Sequence, residues 1–180
     1  MRLRKIVHVA VGVALLTGCG ASRPEWVMKG SGAFKKNEKV FYGVGVAEGI
    51  QSEALRRTTA DNRAIAEISK QLSTVSTSLM RDYMASTSVP EAQKGNEEQY
   101  VENTVKTFTS NVVSGVKIMD RYQDKKGALY SLAVLKLDDL KLMANEVKGL
   151  SASVREHIKA NAEKAFDKMA EEELKHSQAE

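Results

Sequence analysis

The chain has 180 residues, a formal net charge of +4, an apolar content of 42% and a single cysteine. This length suits one domain, and this apolar content excludes a wholly disordered chain. The first 18 residues hold three basic and no acidic side chains, so the remainder carries only +1. A nearly neutral chain lacks the clustered basic face that nucleic-acid binding needs, and we expect no nucleic-acid partner.

Residues 1–18 have the pattern of a lipoprotein signal peptide. Arg2, Arg4 and Lys5 give a positive start, and the apolar run at 6–16 is too short to span a bilayer. The leader ends in the four residues of a site that looks like the bacterial lipobox, Leu16, Thr17, Gly18 and Cys19. In a lipobox the cysteine thiol is acylated before cleavage, and the cysteine becomes residue one.

Cys19 is therefore the predicted lipidation site. The alternative is an ordinary signal peptide, or an uncut signal anchor, with a chance cysteine. A lone cysteine in an exported chain has no internal disulfide partner, and a free thiol would be a liability. We predict covalent diacylglyceryl and N-acyl groups of the palmitate type, a firm anchor because each buried methylene contributes about 0.8 kcal/mol. The residue after the cysteine is Gly20 rather than aspartate. This resembles Gram-negative lipoproteins that are transported onward to the outer membrane, so we expect a lipid anchor in the cell outer membrane.

Residues 19–39 are expected to form a lipidated tether ahead of a folded domain at 40–148, because they are rich in glycine, serine and lysine. One apolar cluster, at 26–28, interrupts the tether. We expect the indole of Trp26 to pack on the edge of the domain; stacking on a ligand is the alternative.

The stretch FYGVGVAEG at 41–49 raises the question of a nucleotide-binding loop. Alternation from Val40 to Ala47 predicts a strand with one bulky face and one face thinned by glycine. A dinucleotide fingerprint needs a third glycine where this chain has Glu48, whose carboxylate would repel phosphate. The glycines are also not followed by the Lys-Ser/Thr pair of a P-loop. We therefore interpret the stretch as a strand with a tight turn into a helix.

A long helix is predicted from about Ser52 to Tyr83, because apolar residues recur there in steps of three and four. The apolar stripe consists of Ile65, Ile68, Leu72, Val75, Leu79 and Tyr83, extended by the small residues Ala60 and Ala64. Small residues permit close contact between this helix and the glycine-thinned face of the strand. The polar stretch at 84–99 is predicted to be an exposed loop.

The next part of the domain is predicted to hold one helix and two strands. Helical steps at 101–112 give way to an alternating strand at 116–122. A hairpin turn at 124–127 leads into an apolar strand at 128–137, which we expect to be central and buried on both faces.

Two helices are predicted after the last strand. Asp138 or Asp139 can cap a short helix through about Val147. A capping box at 153–156 opens a terminal amphipathic helix at 151–178. Its narrow apolar stripe consists of Val154, Ile158, Ala162, Ala165 and Met169. This helix either folds back on its own domain or pairs with another subunit or a partner.

No catalytic, cofactor-binding or metal-binding residue is predicted, and we expect the protein not to be an enzyme. The histidines outside the leader are His157 and His176, both on the terminal helix, so they supply neither a base for a serine of the domain nor a metal pair. We expect His157 to be solvated. The acidic pairs at 97–98 and 138–139 are neighbours in sequence and do not converge on one substrate, so capping and solvation explain them better.

Four stretches are similar to the Lpp-twenty family of small bacterial lipoproteins, and the similarity covers residues 19–140. They are Pro24-Glu25-Trp26, FYGVGVAEG at 41–49, ALRRTTADNRAIAEISKQLSTVSTS at 54–78 and GVKIMDRYQDKKGALYSLAVLKLDDL at 115–140. That family also includes a lipoprotein of the flagellar outer-membrane disk. The resemblance implies a compact domain at the outer membrane, without known catalytic residues, that assembles with itself or with envelope machinery.

The residues and the resemblance together predict an α+β fold. We expect a small antiparallel sheet in strand-helix-strand-strand order, packed on a long helix, with an additional C-terminal helix. The terminal helix beyond residue 151 lies outside the resemblance.

Three functions are compatible with this sequence. The first, which we favour, is a structural or assembly lipoprotein of the cell envelope that forms a homo-oligomer and contacts envelope or flagellar proteins. The second is a periplasmic adaptor or activator of envelope machinery, although a tether at 19–39 reaches at most roughly 70 Å. The third is a binder of hydrophobic ligands in a pocket formed by methionine-containing apolar surfaces.

Overall fold

The computed structural model describes residues 22–34, 38–86 and 94–177 of the chain. Its elements in chain order are α1 (Glu25–Lys29), a 3-10 turn (Gly30–Ala33), β1 (Val40–Ala47), α2 (Glu53–Ser86), α3 (Lys94–Val113), β2 (Lys117–Gln123), β3 (Leu129–Lys136), α4 (Leu137–Glu146) and α5 (Ala152–Ser177). The predicted α+β class is confirmed: three strands form an antiparallel sheet, the long helix α2 packs on it, and an additional helix follows at the C-terminal end.

The sheet has the strand order β1-β3-β2, so β3 is central as predicted. β1 pairs with β3 along its whole length, from Val40 opposite Lys136 to Ala47 opposite Leu129. The turn between β2 and β3 is closed by the Asp124 carboxylate, which accepts the N–H groups of Lys126 and Ala128, both at 2.9 Å. This hairpin brings two strands that are neighbours in sequence together on one side of β1.

α2 covers the inner face of the sheet. The inward residues of β1 are Phe41, Gly43, Gly45 and Ala47, and all four are buried. The helix has 34 residues and is therefore roughly 50 Å long, about twice the length of an eight-residue strand. Its first half contacts the sheet, and its second half extends beyond it.

The second half of α2 forms a helical core with α3, α4 and α5. The largest fully buried side chains of this region are Leu72, Val75, Leu79, Phe108, Val112, Leu140, Val147, Val154 and Ile158. α5 runs back along α2, and Phe166 meets Phe41 of the sheet edge-on at 4.9 Å between ring centroids. All five residues of the predicted apolar stripe of α5 are buried, so this helix folds back on its own domain.

Residues 22–34 lie against the outer face of the sheet. Arg23 donates to the Tyr130 hydroxyl at 2.9 Å, and its guanidinium carbon lies 5.2 Å from the centre of that ring. Phe34 stacks on Tyr42 with ring centroids 3.8 Å apart. Trp26, between these two contacts, is buried with 7% of its surface exposed. This segment of the expected tether is therefore folded onto the domain.

Cover on the outer face of β3 is less complete than predicted. Leu132 is buried there, but Tyr130 and Val134 are only half-buried, whereas the inward Ala133 and Leu135 are fully buried. The reason is that a short segment covers the outer face, while a long helix covers the inner one.

The boundaries of two helices differ from the predictions. α2 continues to Ser86 and α3 begins at Lys94, so the predicted loop at 84–99 is helical at both ends; residues 87–93 lie outside the described residues. Apolar spacing could not indicate these turns, because exposed side chains such as Arg81 and Gln99 border them.

The predicted caps of α4 and α5 are wrong. α4 begins at Leu137, directly after β3, and has no side-chain cap; Asp138 and Asp139 lie in its first turn, where a negative charge favours the helix dipole. The hydroxyl oxygen of Ser151, not of Ser153, accepts the N–H of Val154 at 3.3 Å and caps α5. The Ser153 hydroxyl is instead 2.9 Å from the Tyr83 hydroxyl, which links α5 to α2.

Candidate functional site

The predicted lipidation site lies outside the described residues. Leu16, Thr17, Gly18 and Cys19 all belong to residues 1–21, so lipidation at Cys19 stays a prediction from the sequence. The described chain begins at Ser22, three residues after the cysteine. Any lipid on Cys19 would thus be separated from the folded segment by a very short stretch of chain.

The glycines of β1 serve helix packing. A Cβ added to Gly43 would lie 2.9 Å from Ile68 Cγ1, and one added to Gly45 would lie 2.8 Å from Arg63 Cβ. The same added atoms would come even closer to the backbone of α2 at Ala60 and Ala64. Because both glycines face the helix from inside the sheet, they cannot approach a nucleotide phosphate, in agreement with the structural interpretation of this stretch.

A polar cluster joins α2 to the two strands of the hairpin. The carboxylate of Asp61 accepts two hydrogen bonds from Arg121, at 2.8 and 2.7 Å, and a third from the Ser131 hydroxyl at 2.7 Å. Ser131 is fully buried on β3, and Asp61 lies beside the helix residues that meet β1. The three side chains therefore connect three separate elements at one point.

The contacts within this cluster shift the pKa values of its two charged groups toward their ionised forms. Hydrogen bonds from Arg121, and to a smaller extent from Ser131, lower the pKa of Asp61 despite the opposing effect of burial. The hydrogen bonds to Asp61 raise the pKa of Arg121. An ionised carboxylate already engaged by three donors is a poor general base, so the cluster is suited to clamping the helix on the sheet rather than to catalysis.

A second ionic contact joins the start of β1 to α5. The Lys39 ammonium donates to Asp167 and lies 3.6 Å from Glu163. The hydrogen bond to Asp167 is the main reason why the pKa of Lys39 is raised. Lys39 also has a positive φ of 51°, which turns the chain into the strand at the point where α5 passes. These contacts hold the terminal helix against the sheet.

His157 is not solvated, contrary to the prediction. Its ring is half-buried and meets Tyr83 edge-on with 5.3 Å between ring centroids, and its Nδ1 lies 3.4 Å from the Asn161 amide. The prediction failed because the C-terminal turns of α2, which carry Tyr83, cover this face of α5. The side chains of Glu97, Glu98 and His176 lie outside the described residues.

Two neighbouring grooves lie between α2 and the C-terminal half of α5. Their volumes are about 280 and 450 Å³, and they share Thr74, Met169 and Glu172 as lining residues. Charged side chains line both grooves, including Arg81 and Lys168 in the smaller one. Open grooves with charged walls do not match the apolar pocket that a hydrophobic ligand would require.

Both outer strands of the sheet carry features that oppose pairing with another strand. On β1, the outward carbonyl groups of Tyr42 and Val46 accept hydrogen bonds from Gln71 and Arg63 of α2. On β2, a bulge at Met119 breaks the register, and the Asp120 side chain accepts the N–H of Arg121 at 2.8 Å. Capped groups and bulges make strand addition at either edge unfavourable.

The described residues contain no group of three or more His, Cys, Asp or Glu side chains that could hold a metal ion. None of the helices in the described part of the chain combines the length and apolar character needed to cross a bilayer.

The predicted packing of Trp26 on the domain is confirmed, since its indole is buried, but sequence reasoning missed the Asp61 cluster and the contacts of Arg23 and Phe34. A signal for the first was present, since Ser131 is the one serine or threonine inside the apolar run of β3 and Asp61 directly follows Ala60 on the buried side of α2. No comparable signal marks Arg23 or Phe34, because neither residue interrupts a regular apolar pattern in its own segment.

The fold and these contacts define a small α+β domain in which a long helix is pressed onto a three-stranded sheet through glycine and alanine. The family model described as LPP20 lipoprotein matches residues 24–136. This match spans more than half of the 180 residues, so the chain belongs to the LPP20 lipoprotein family and is a lipoprotein of that kind. A search of curated proteins found no match to the chain.

The matched range has a structural meaning. It begins at Pro24, inside the segment that lies on the outer face of the sheet, and ends at Lys136, the last residue of β3. The family pattern therefore includes the N-terminal segment together with the sheet and α2. α4 and α5 follow it and complete the helical core.

Proposed function

We propose that the protein is a lipid-anchored component of the cell outer membrane with a non-catalytic, structural or assembly role in the envelope. In this proposal Cys19 carries the diacylglyceryl and N-acyl groups, and the domain acts through contacts with further copies and with envelope or flagellar proteins. Membership of a lipoprotein family supports the anchor. The sequence Leu16-Thr17-Gly18-Cys19 supports the position of the lipid.

The single observation that carries the role is the packing of residues 22–34 on the sheet. Arg23 is bound to Tyr130, and Trp26 is buried, so this part of the chain does not act as a spacer. Three residues from Cys19 to Ser22 extend at most roughly 10 Å. A lipid on Cys19 would keep the folded domain at the bilayer surface, where it could assemble laterally with other molecules at the same surface.

The same observation weakens the adaptor hypothesis. A periplasmic adaptor needs reach, and the expected tether at 19–39 would have provided roughly 70 Å if it were extended. With residues 22–34 folded, reach depends on the length of the domain itself, which α2 sets at roughly 50 Å. The adaptor remains the second candidate, and it requires a partner that meets the domain close to the outer membrane.

The localisation part of the proposal is tested by separating the membranes of the native bacterium on a density gradient. We expect the full-length protein in the outer-membrane fraction and a Gly20→Asp variant in the inner-membrane fraction. A Cys19→Ser variant should be neither acylated nor cleaved to the mature chain. Recovery of the unaltered protein from the soluble or inner-membrane fraction would refute an outer-membrane anchor.

The assembly part is tested by chemical crosslinking in intact cells followed by mass spectrometry. We expect crosslinks between two copies of the chain, most of them on exposed lysines of the helices. Crosslinks to a second protein without self-crosslinks would favour the adaptor. Lipid that co-purifies with the unacylated Cys19→Ser variant would instead favour a binder of hydrophobic ligands.

A further inference from the structure

One end of the sheet is formed by two loops and the entry of the chain, and we name it the hairpin end. Its loops are residues 48–52, between β1 and α2, and residues 124–127, between β2 and β3. Arg56 joins them, since its guanidinium lies 3.4 Å from the Ile50 carbonyl and beside Gly127. The opposite end of the domain, where α2 ends and α5 begins, is the helical end.

The N-terminal segment enters the domain at the hairpin end. Arg23 contacts Tyr130, the second residue of β3 after the hairpin turn. Phe34 contacts Tyr42, which pairs with Val134 near the far end of the strands. Residues 22–34 therefore run from the hairpin end along the sheet, and Ser22, the described residue closest in sequence to Cys19, belongs to the part of the segment at that end.

Basic side chains outnumber acidic ones at the hairpin end. The basic residues are Arg23, Arg56, Arg57, Lys125 and Lys126, and the acidic residues are Glu48, Glu53 and Asp124. The acidic side chains are partly engaged, because Glu53 accepts from Arg57 at 2.9 Å and Asp124 closes the turn. Lys125 and Lys126 are exposed at the tip, and Leu55, an apolar residue with 57% of its surface exposed, lies in the first turn of α2.

From these placements we propose that the hairpin end is a docking surface for anionic phospholipid headgroups. The inference rests on the proposed lipid anchor at Cys19. That anchor holds the hairpin end within roughly 10 Å of the headgroups, which is about one Debye length in physiological salt. At that distance Lys125 and Lys126 are attracted to anionic lipid, and Leu55 can enter the apolar part of the interface. The helical end then projects away from the bilayer by the length of α2 and is the part that meets other proteins.

The proposal is tested with the full-length, lipidated protein in vesicles of phosphatidylcholine, with or without phosphatidylglycerol. Since an acylated Cys19 cannot react with a thiol dye, a cysteine introduced at Gln51 on the hairpin end or at Lys148 near the helical end gives a single label. A quencher attached to the lipid headgroup reports the distance between the label and the headgroups, because quenching is stronger when the label is closer. We expect at least threefold stronger quenching of the Gln51→Cys label than of the Lys148→Cys label.

The role of charge is tested with matched charge reversals in the Gln51→Cys protein. Lys125→Glu with Lys126→Glu should abolish the extra quenching that phosphatidylglycerol causes, and high salt should have the same effect on the unaltered surface. Lys106→Glu with Lys148→Glu makes the same change of net charge away from the hairpin end and should leave that quenching unchanged. All four positions are exposed, so we expect both double variants to keep the fold.

The outcomes separate this proposal from the anchor on which it rests. An unmodified Cys19, seen in the intact mass, with no flotation of protein on the vesicles would refute the anchor and the proposal together. An acylated chain whose two labels are quenched equally, or whose Lys148→Cys label is quenched more, would refute the orientation alone. Quenching at Gln51→Cys that does not respond to the Lys125 and Lys126 reversals would refute recognition of anionic lipid.

Discussion

Replacing Gly45 by alanine should destabilise the domain strongly, because the added methyl group meets the backbone of α2. The new Cβ would lie 2.8 Å from Arg63 Cβ and still closer to the Ala60 carbonyl oxygen and the Ala64 nitrogen. Real Cβ atoms essentially never approach other atoms within 3.0 Å, so the helix must move away by the better part of an ångström. A backbone atom in a hydrogen-bonded helix cannot turn aside as a side chain can.

The expected cost is set by how the core responds. Overpacking a tight core typically costs about 1–3 kcal/mol. The contact here involves two backbone atoms of α2 beneath the buried face of β1, so we expect a loss of about 3 kcal/mol in the free energy of unfolding. The measurement is urea unfolding of the full-length protein, followed by circular dichroism, with Gly32→Ala as the control. An alanine Cβ at Gly32 has no neighbour within 4 Å, and we expect a change below about 0.5 kcal/mol.

A double variant distinguishes a backbone contact from a side-chain contact. Because Gly45→Ala meets backbone atoms, adding Ala60→Gly should not restore stability, and it should cost about 1 kcal/mol more because glycine weakens a helix. A loss below about 1 kcal/mol for Gly45→Ala, or rescue by Ala60→Gly, would refute the account of how α2 meets the sheet.

Three further predictions concern the other contacts that close the domain. Asp61→Asn should cost about 1–3 kcal/mol in the free energy of unfolding because it removes the ion pair with Arg121. In the unaltered protein, the stabilisation from the lowered pKa of Asp61 is complete above the unfolded-state pKa and is lost as the pH falls through the folded-state pKa. The stabilities of the two proteins, measured against pH, should therefore converge in acid, and parallel curves would contradict this role of Asp61. Trp26→Ala should cost about 3–5 kcal/mol in ligand-free protein, measured by thermal or urea unfolding, because the indole is buried; an unchanged stability would return Trp26 to the ligand-stacking alternative. Phe166→Ala should cost about 3–5 kcal/mol by the same assay, because its ring packs against Phe41, and a loss of oligomers with full stability would instead assign α5 to assembly.

The sequence predicted an element correctly wherever regularly spaced apolar residues of that element are buried. The stripe from Ile68 to Leu79 predicted α2, and the glycines facing it predicted close contact with the sheet. The apolar run of β3 predicted a central strand. The stripe of α5, with Ala162 at its centre, predicted the helix but not its partner, because a narrow stripe suits a neighbouring helix of the same chain or of another.

The packing of Trp26 was predicted, but the other contacts of the N-terminal segment could not be, because they join residues with no shared period. Arg23 and Tyr130 are 107 residues apart, and Asp61 and Arg121 are 60 apart. A segment rich in glycine and serine is typical of a tether. Only its contacts show that one part of it covers the sheet. The predictions of the caps of α4 and α5 failed for a related reason. Several polar residues lie close to the start of each helix, and the backbone conformation determines which of them can cap it.

The central claim is that Cys19 anchors this domain directly on the outer membrane. The measurement that tests it most directly is the intact mass of the mature protein purified from outer membranes of the native bacterium. We predict a chain that begins at Cys19 and carries the added mass of a diacylglyceryl group and one N-linked acyl chain. A mature chain with a free Cys19 thiol, or one that still contains residues 1–18, would contradict the claim.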